Sequence, residues 1–330
     1  MNPQPEELEH RIFEIKTDAD FLECALSIFH FQAANNPVYR EYIQLLKVNP
    51  DAVERLDQIP FLPIEFFKSL AIISGTHPTE IIFESSGTTG STPSKHHVSK
   101  IELYKTSFRK GFAYFYGSIK EYCILALLPS YLERDHSSLI VMVNDLILQS
   151  NNPDSGFYLH NRFDLVNKLN KLKGESKKVL LLGVSFALLD LAEQHELNLS
   201  NSIIMETGGM KGRRQELIRN ELHEILCNRF HTAAIHSEYG MTELLSQAYS
   251  FGDGIFQSPP WMKILIRNIN DPMSFLSSQK TGGINIIDLA NIYSCAFIAT
   301  QDLGKISDDN SFEVLGRFDN SDLRGCNLMI

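Results

Sequence analysis

Cysteine is scarce in this chain of 330 residues: Cys24, Cys123, Cys227, Cys295 and Cys326 are scattered, odd in number and without paired spacing. That excludes a disulfide framework and fits a reducing, cytoplasmic compartment. Basic charge is also short, with 30 Lys and Arg against 40 Asp and Glu, for a net charge of −10. A surface built for a phosphate backbone carries the opposite sign, so nucleic acid is not an expected partner. Long apolar runs are missing, since the longest, 179–192, is interrupted by Asp190 and too short to span a bilayer. The start, Met1-Asn2-Pro3-Gln4-Pro5-Glu6-Glu7, is acidic where a signal peptide needs basic and apolar segments. Glycine (19) and proline (13) stand at ordinary levels, which excludes collagen-like and low-complexity classes. No repeat of fixed period and no Gly/Ser linker divides the chain.

What is present is enough apolar residue, 43% of the chain, for one large core or two moderate ones. Phe21, Leu22, Ala25, Leu26 and Phe29 fall at helical spacing, and Tyr39, Tyr42, Leu45 and Leu46 continue it. Pro60 and Pro63 then end the helical region. Beyond it, short apolar runs predict strands at 80–83, 122–128, 178–182, 202–205, 232–236 and 283–289. Amphipathic stretches between them, notably 186–195 and 213–228, predict helices. The alternation predicts an α/β fold with a largely parallel sheet, and the turn-rich stretch after Gly254 a smaller β-rich region.

The most informative stretch is Phe83-Glu84-Ser85-Ser86-Gly87-Thr88-Thr89-Gly90-Ser91-Thr92-Pro93-Ser94-Lys95. Backbone N–H groups and hydroxyls around two glycines make a concave anion site, and a lysine supplies a mobile charge. It is no Walker loop, because Gly87 and Gly90 are too close and no Gly-Lys-Ser/Thr ends it. A second stretch, His236-Ser237-Glu238-Tyr239-Gly240-Met241-Thr242-Glu243, offers an aromatic face, a hydroxyl and two carboxylates. Tyrosine stacks on purines, and a carboxylate at a strand end holds magnesium. Two weaker stretches are Ala299-Thr300-Gln301-Asp302-Leu303-Gly304 and Leu315-Gly316-Arg317-Phe318-Asp319.

In this order, over residues 81–330, the four stretches resemble the adenylate-forming superfamily of acyl-CoA synthetases and related ligases. The first is similar to its Ser-Gly-Thr-Thr-Gly phosphate loop and the second to its Tyr-Gly-x-Thr-Glu element. The resemblance implies an AMP-forming ligase with the superfamily's N-terminal domain fold: parallel-sheet subdomains, a smaller β-rich region, and a C-terminal domain essentially absent. It implies that Ser85, Ser86, Gly87, Thr88, Thr89 and Gly90 hold the ATP phosphates. Tyr239 would stack on adenine beside Glu238 and Gly240, Thr242 would touch the α-phosphate, and Glu243 would hold Mg²⁺. Asp302 and Arg317 would take the ribose, and Gly208-Gly209 would flank the adenine. The C-terminal lysine of larger members has no counterpart here, so Lys95 and Lys211 are the candidates to neutralise the α-phosphate.

The 59–68 lead-in, Ile-Pro-Phe-Leu-Pro-Ile-Glu-Phe-Phe-Lys, and a cysteine near the end narrow the resemblance to the acyl-protein synthetase (LuxE-type) family. That implies a single adenylating unit over 1–330, with a helical lead-in (1–75), a nucleotide-binding core (76–253) and a β-rich region with tail (254–330). It implies activation of a carboxylic, fatty acid to acyl-AMP and acyl transfer to a thiol. Cys326 stands where the family's acceptor belongs, with Arg324 favouring thiolate and Gly325 permitting approach. A partner reductase, a carrier protein or CoA would supply the next acceptor. The alternatives are a ligase using an external thiol, or a non-catalytic nucleotide-binding scaffold.

Other constellations carry less. Gly183-Val184-Ser185-Phe186-Ala187 lies at a strand–helix turn, but ends in Ala where a nucleophile elbow has Gly. In the ligase reading Phe186 and Leu188 would wall the acyl pocket. Cys227, His231 and His236 lack a fourth metal ligand and read as structural. His96 and His97, beside Lys95, could touch phosphate but are expected to begin a solvated turn, and the aromatic residues of the first seventy to form core or a partner face.

Overall fold

The computed structural model describes residues 4–85, 92–128, 136–158, 162–173, 177–208 and 217–318. The chain folds as two compact units, Met1–Thr76 with Pro260–Ile330, and His77–Pro259.

The first unit opens with helices α1 (Pro5–Arg11), α2 (Asp18–Asn35) and α3 (Pro37–Leu45). A capping box starts α2: Asp20 N donates to Thr17 Oγ1 at 3.1 Å, and Thr17 N to Asp20 Oδ2 at 2.9 Å. Asn36 then ends α2 and caps α3, accepting from Tyr39 N at 3.0 Å, with Pro37 pre-set at the first helical position. The prolines end the helical region as predicted, and the chain runs into β1 (Leu62–Pro63) and the single turn α4 (Phe66–Ser69).

The second unit starts with a hairpin, β2 (Ile81–Glu84) and β3 (Lys95–Val98), in which Glu84 pairs with Lys95 and Phe83 with His96. Helices and strands then alternate through α5 (Ile101–Tyr116), β4 (Tyr122–Leu127), α6 (Ser138–Ser150) and β5 (Gly156–Phe157). They continue through α7 (Arg162–Leu172), β6 (Lys178–Val184), α8 (Ser185–Gln194), β7 (Ser202–Thr207), α9 (Arg219–Phe230) and β8 (His236–Tyr239). The order β5-β4-β6-β7-β8 is parallel throughout. Strands covered on both faces read as unbroken apolar runs, and β4 is buried at every residue. Beyond β8, β9 (Ala248–Ser250) and β10 (Ile255–Gln257) extend this sheet antiparallel.

Two predicted elements are displaced. The strand expected at 232–236 is His236–Tyr239, because α9 runs on to Phe230 and closes with His231 in the left-handed region (φ 49°). The helix expected at 213–228 begins at Arg219, and 213–216 lie outside the described residues.

The first unit then resumes with β11 (Met262–Arg267), β12 (Gly282–Asp288), β13 (Phe297–Ile306) and β14 (Phe312–Arg317), an antiparallel sheet in chain order. β1 pairs with β13 in parallel. The early aromatic residues are core here: the Phe297 ring lies 6.0 Å from Phe29 and 6.2 Å from both Tyr39 and Phe61. Among the described residues, no helix is long and apolar enough to cross a membrane.

Candidate functional site

In an open parallel sheet, ligands gather outside the carboxyl ends of the strands. In the second unit, β6 ends at Val184 against Ser185, β7 at Thr207 against Gly208, and β8 at Tyr239 against the 239–243 motif. The parallel register aligns Gly183 and Val184 with Glu206 and Thr207, and Glu206 and Thr207 with Ser237 and Glu238.

The base of the hydroxyl-rich loop is closed by two bonds, Ser85 N to Ser94 O at 3.0 Å and Ser94 N to Ser85 Oγ at 2.8 Å. Ser86, Gly87, Thr88, Thr89 and Gly90 lie outside the described residues, as do Gly209, Lys211 and Cys326. Lys95 is half-exposed and 3.4 Å from Glu84 Oε1, a weak surface pair that leaves its ammonium mobile. Its neighbour departs from expectation. His96 is no solvated turn; it is wholly buried, because strand alternation turns its side chain inward where that of Lys95 turns outward. His96 Nδ1 stands 2.9 Å from the Thr242 carbonyl oxygen, and burial pushes its pKa down to about 4.

The 239–243 segment leaves the sheet at Tyr239, whose ring is tilted against Phe256 with centroids 5.8 Å apart. Leu244 N returns to Met241 O at 3.1 Å, forming the turn that carries Thr242 and the buried Glu243. Gly240 has a steric reason to be glycine, since a Cβ there would collide with Oε1 of Glu238. The other carboxyl oxygen of Glu238 accepts from the Thr207 hydroxyl. Burial, against that hydrogen bond and with the nearby charge of Glu206, raises the Glu238 carboxyl to about 7. Glu238 also lines an apolar cavity with Phe112, Met142, Leu180, Met205 and Tyr249. Next to Gly240, the buried Gln247 keeps an amide oxygen with no hydrogen-bond partner among the described residues.

On the opposite face, Glu206 Oε2 accepts from Ser185 Oγ at 2.9 Å, while Arg219 and His223 stand 3.5 and 3.7 Å from Oε1. Burial alone would raise this carboxyl, but His223, Arg219, Ser237 and Ser185 together hold it below its usual range. Ser185 also bonds the carbonyl of Gly208 at 2.5 Å, and Gly208 takes a positive φ of 65° that suits glycine. Among the described residues the partners of Ser185 Oγ are a carboxylate and a carbonyl, with no imidazole base, which argues against the nucleophile-elbow reading. Phe186 and Leu188 are buried core.

In the first unit, Asp302 and Arg317 are directly paired across β13 and β14, with Nε 3.2 Å from Oδ1. Asp302 is buried, its N–H held by Thr300 Oγ1 at 3.1 Å, while the Arg317 side chain is exposed. Arg267, which the sequence did not single out, donates to Ile284 O and Asn285 Oδ1 at 2.8 Å and to Thr300 O at 2.5 Å. Its guanidinium crosses the side-chain-free face of Gly283.

Among the described residues, no three His, Cys, Asp or Glu side chains stand together as a metal cluster. His231 bonds Glu196 at 2.9 Å and His236 bonds Tyr116 at 3.1 Å, in structural roles. A nucleotide-borne Mg²⁺ needs only one or two protein oxygens beside the phosphates, and the Thr242–Glu243 donor set is of that kind. The Gln247 amide oxygen, without a hydrogen-bond partner among the described residues, would accept from a ligand N–H donor.

None of the curated protein sequences matches the chain. Among solved structures, ATP-bound MatB from Rhodopseudomonas palustris superposes with a TM-score of 0.56 at 16% identity, over 76% of this chain and 50% of that one. A 2-hydroxyisobutyryl-CoA ligase in complex with 2-HIB-AMP and CoA gives 0.67 at 10% identity, over 92% and 70%. The same ligase in the postadenylation state with R3-HIB-AMP gives 0.67 at 12%, over 92% and 68%. The chain spans about half the length of the MatB structure it matches. These likenesses establish the mixed α/β fold of adenylate-forming ligases. Residues 16–330 match the model of the family described as acyl-protein synthetase, LuxE, and the chain therefore belongs to the acyl-protein synthetase (LuxE) family.

Proposed function

We propose that the protein activates a carboxylic acid with ATP and passes the acyl group to a thiol. The observation that carries this reading is the 239–243 turn, placed at the carboxyl end of β8 and bonded through His96 to the hairpin of the hydroxyl-rich loop. In the first step a carboxylate oxygen attacks the α-phosphorus of ATP, the bond to the β-phosphate oxygen breaks, and pyrophosphate leaves. In the second a thiolate attacks the acyl carbon of the mixed anhydride and AMP departs. A carboxylate resists thiolate attack and the anhydride does not, which is the reason for the first step.

The roles follow the family pattern. Ser85 and the 86–90 segment take the phosphates, Tyr239 packs on adenine, and Gly208-Gly209, Glu238 and Gly240 shape its pocket. Thr242 reaches the α-phosphate, and Glu243 holds Mg²⁺, which supplies charge neutralisation. Lys95 and Lys211 add mobile positive charge, and Asp302, oriented by Arg317, accepts from ribose hydroxyls. Chain 1–330 acts as one adenylating unit, in a reducing compartment that suits the unbridged thiols of Cys24, Cys123, Cys227 and Cys295.

For the acceptor, the acyl-protein synthetase family favours a protein thiol, with Cys326 the candidate and a reductase or carrier downstream. The likeness to a ligase bound to CoA favours an external thiol. Incubation with Mg-ATP and a panel of aliphatic and aryl acids tests both, read as pyrophosphate release and as acyl adducts by mass spectrometry. Pyrophosphate with an adduct on Cys326 supports the first acceptor, and pyrophosphate that yields acyl-CoA when CoA is added supports the second. ATP binding without pyrophosphate from any acid would leave only a nucleotide-binding scaffold.

A further inference from the structure

We infer that His96 is a positioning residue that locks the 239–243 turn onto the hairpin carrying the hydroxyl-rich loop, and so sets where Thr242 and Glu243 stand before nucleotide arrives. This rests on reading those two segments as the nucleotide site. The bond joins side chain to backbone across 146 residues of sequence. A carbonyl oxygen only accepts, so Nδ1 of His96 carries the proton and the tautomer is fixed by its partner.

The choice of atom matters. The peptide unit between Thr242 and Glu243 is planar, so holding the Thr242 oxygen also fixes the direction of the Glu243 N–H and the start of its side chain. The anchor itself is rigid. His96 lies in β3, paired with Phe83 of β2, and both side chains are fully buried. Lys95, one residue earlier, pairs with Glu84 at the edge of the loop. One short strand therefore presents a mobile cation outward and a fixed donor inward, and the donor grips the turn that carries the second set of ligand groups. Pre-set geometry of this kind reduces what a ligand must order on binding.

The test compares the wild type with His96→Asn, whose amide nitrogen replaces Nδ1, and His96→Leu, which removes the donor. Calorimetric titration with ATP should give His96→Asn within about twofold of the wild type and His96→Leu weaker by about tenfold, the worth of one buried hydrogen bond. With an acid that supports pyrophosphate release, the KM for ATP should rise in His96→Leu while the KM for the acid stays unchanged. Without nucleotide, amide exchange over 241–245 should quicken in His96→Leu and not in His96→Asn. A folded His96→Leu protein with wild-type ATP affinity and slow exchange in that turn would overturn the inference. If His96→Leu does not fold, nitrogen NMR of the wild type decides, because an imidazole protonated at Nε2 alone contradicts the bond. A wild type that binds no ATP would overturn the nucleotide reading instead, and the exchange result would still decide the locking role.

Discussion

Glu206 and Glu238 stand one register step apart on the adjacent parallel strands β7 and β8, and face opposite sides of the sheet. Both are buried, yet their protons are held in opposite senses. Glu206 is surrounded by His223, Arg219, Ser237 and Ser185, which outweigh its burial and keep it ionised. Glu238 has the Thr207 hydroxyl and an apolar cavity, so burial wins and it takes up a proton near neutrality. The carboxyl ends of two neighbouring strands thus carry one fixed negative charge and one carboxyl that exchanges its proton near neutrality.

This difference has a consequence for stability. The Glu238 carboxyl moves from 4.5 to about 7 on folding, so between those pH values the native state holds a proton that the unfolded chain has released. Stability from this group therefore falls as pH rises through that window, by about 3 kcal/mol at most. His96 acts in the opposite sense between about 4 and 6.5, where the unfolded chain holds the extra proton and stability rises with pH. Glu238→Gln removes the first effect alone. Urea unfolding should show the variant gaining on the wild type from pH 4.5 to 7, with little further change above. Parallel pH profiles for the two proteins would mean that Glu238 is ionised in the fold.

Gly240→Ala should impair ATP binding by forcing the Glu238 carboxyl out of its place against the turn. Overpacking of this kind costs about 1–3 kcal/mol. Glu238→Ala in the same chain should restore stability, because the colliding oxygen is gone. Equal melting temperatures for the wild type and Gly240→Ala would show that the turn accommodates a side chain freely.

Glu243→Ala should lower acid-dependent pyrophosphate release at least about tenfold, since a metal-linked carboxylate is worth several kcal/mol in charge stabilisation. The loss should be greater in kcat/KM for ATP than in the KM for the acid. Unchanged pyrophosphate release would remove Glu243 as the Mg²⁺ ligand.

Cys326→Ser separates activation from transfer. The variant should still release pyrophosphate on its first turnover and lose hydroxylamine-labile acyl protein. An acyl adduct that persists in the variant would place the acceptor thiol elsewhere.

The parallel strands were legible in the sequence for a physical reason. β4 and β6 are covered on both faces, so each reads as one apolar run. β8 escaped the same reading because three of its four residues are polar, the half-buried His236 and the buried Ser237 and Glu238, with partners on other elements. His96 was misplaced for the same reason: its partner is 146 residues away, and no local pattern announces a buried imidazole. Gln32 and Asn36 are similar, bonding Asn291 O at 2.8 Å and Ser294 O at 2.9 Å across more than 250 residues. Of the candidate site, the 239–243 segment, Asp302 and Arg317 were singled out by the resemblance to superfamily motifs, while the pairing of Asp302 with Arg317 emerged only from the register of β13 and β14. The shaping of the turn by Glu238 under Gly240 was not legible either, because it too depends on strand register.

The most direct measurement is acid-dependent exchange of radiolabelled pyrophosphate into ATP, with Mg²⁺ and a panel of aliphatic and aryl acids. Reversible acyl-AMP formation requires label in ATP with at least one acid, none without acid, and trapping of the acyl group as a hydroxamate when hydroxylamine is added. ATP bound in calorimetry but no label exchanged with any acid would contradict adenylation, and with it the proposed function.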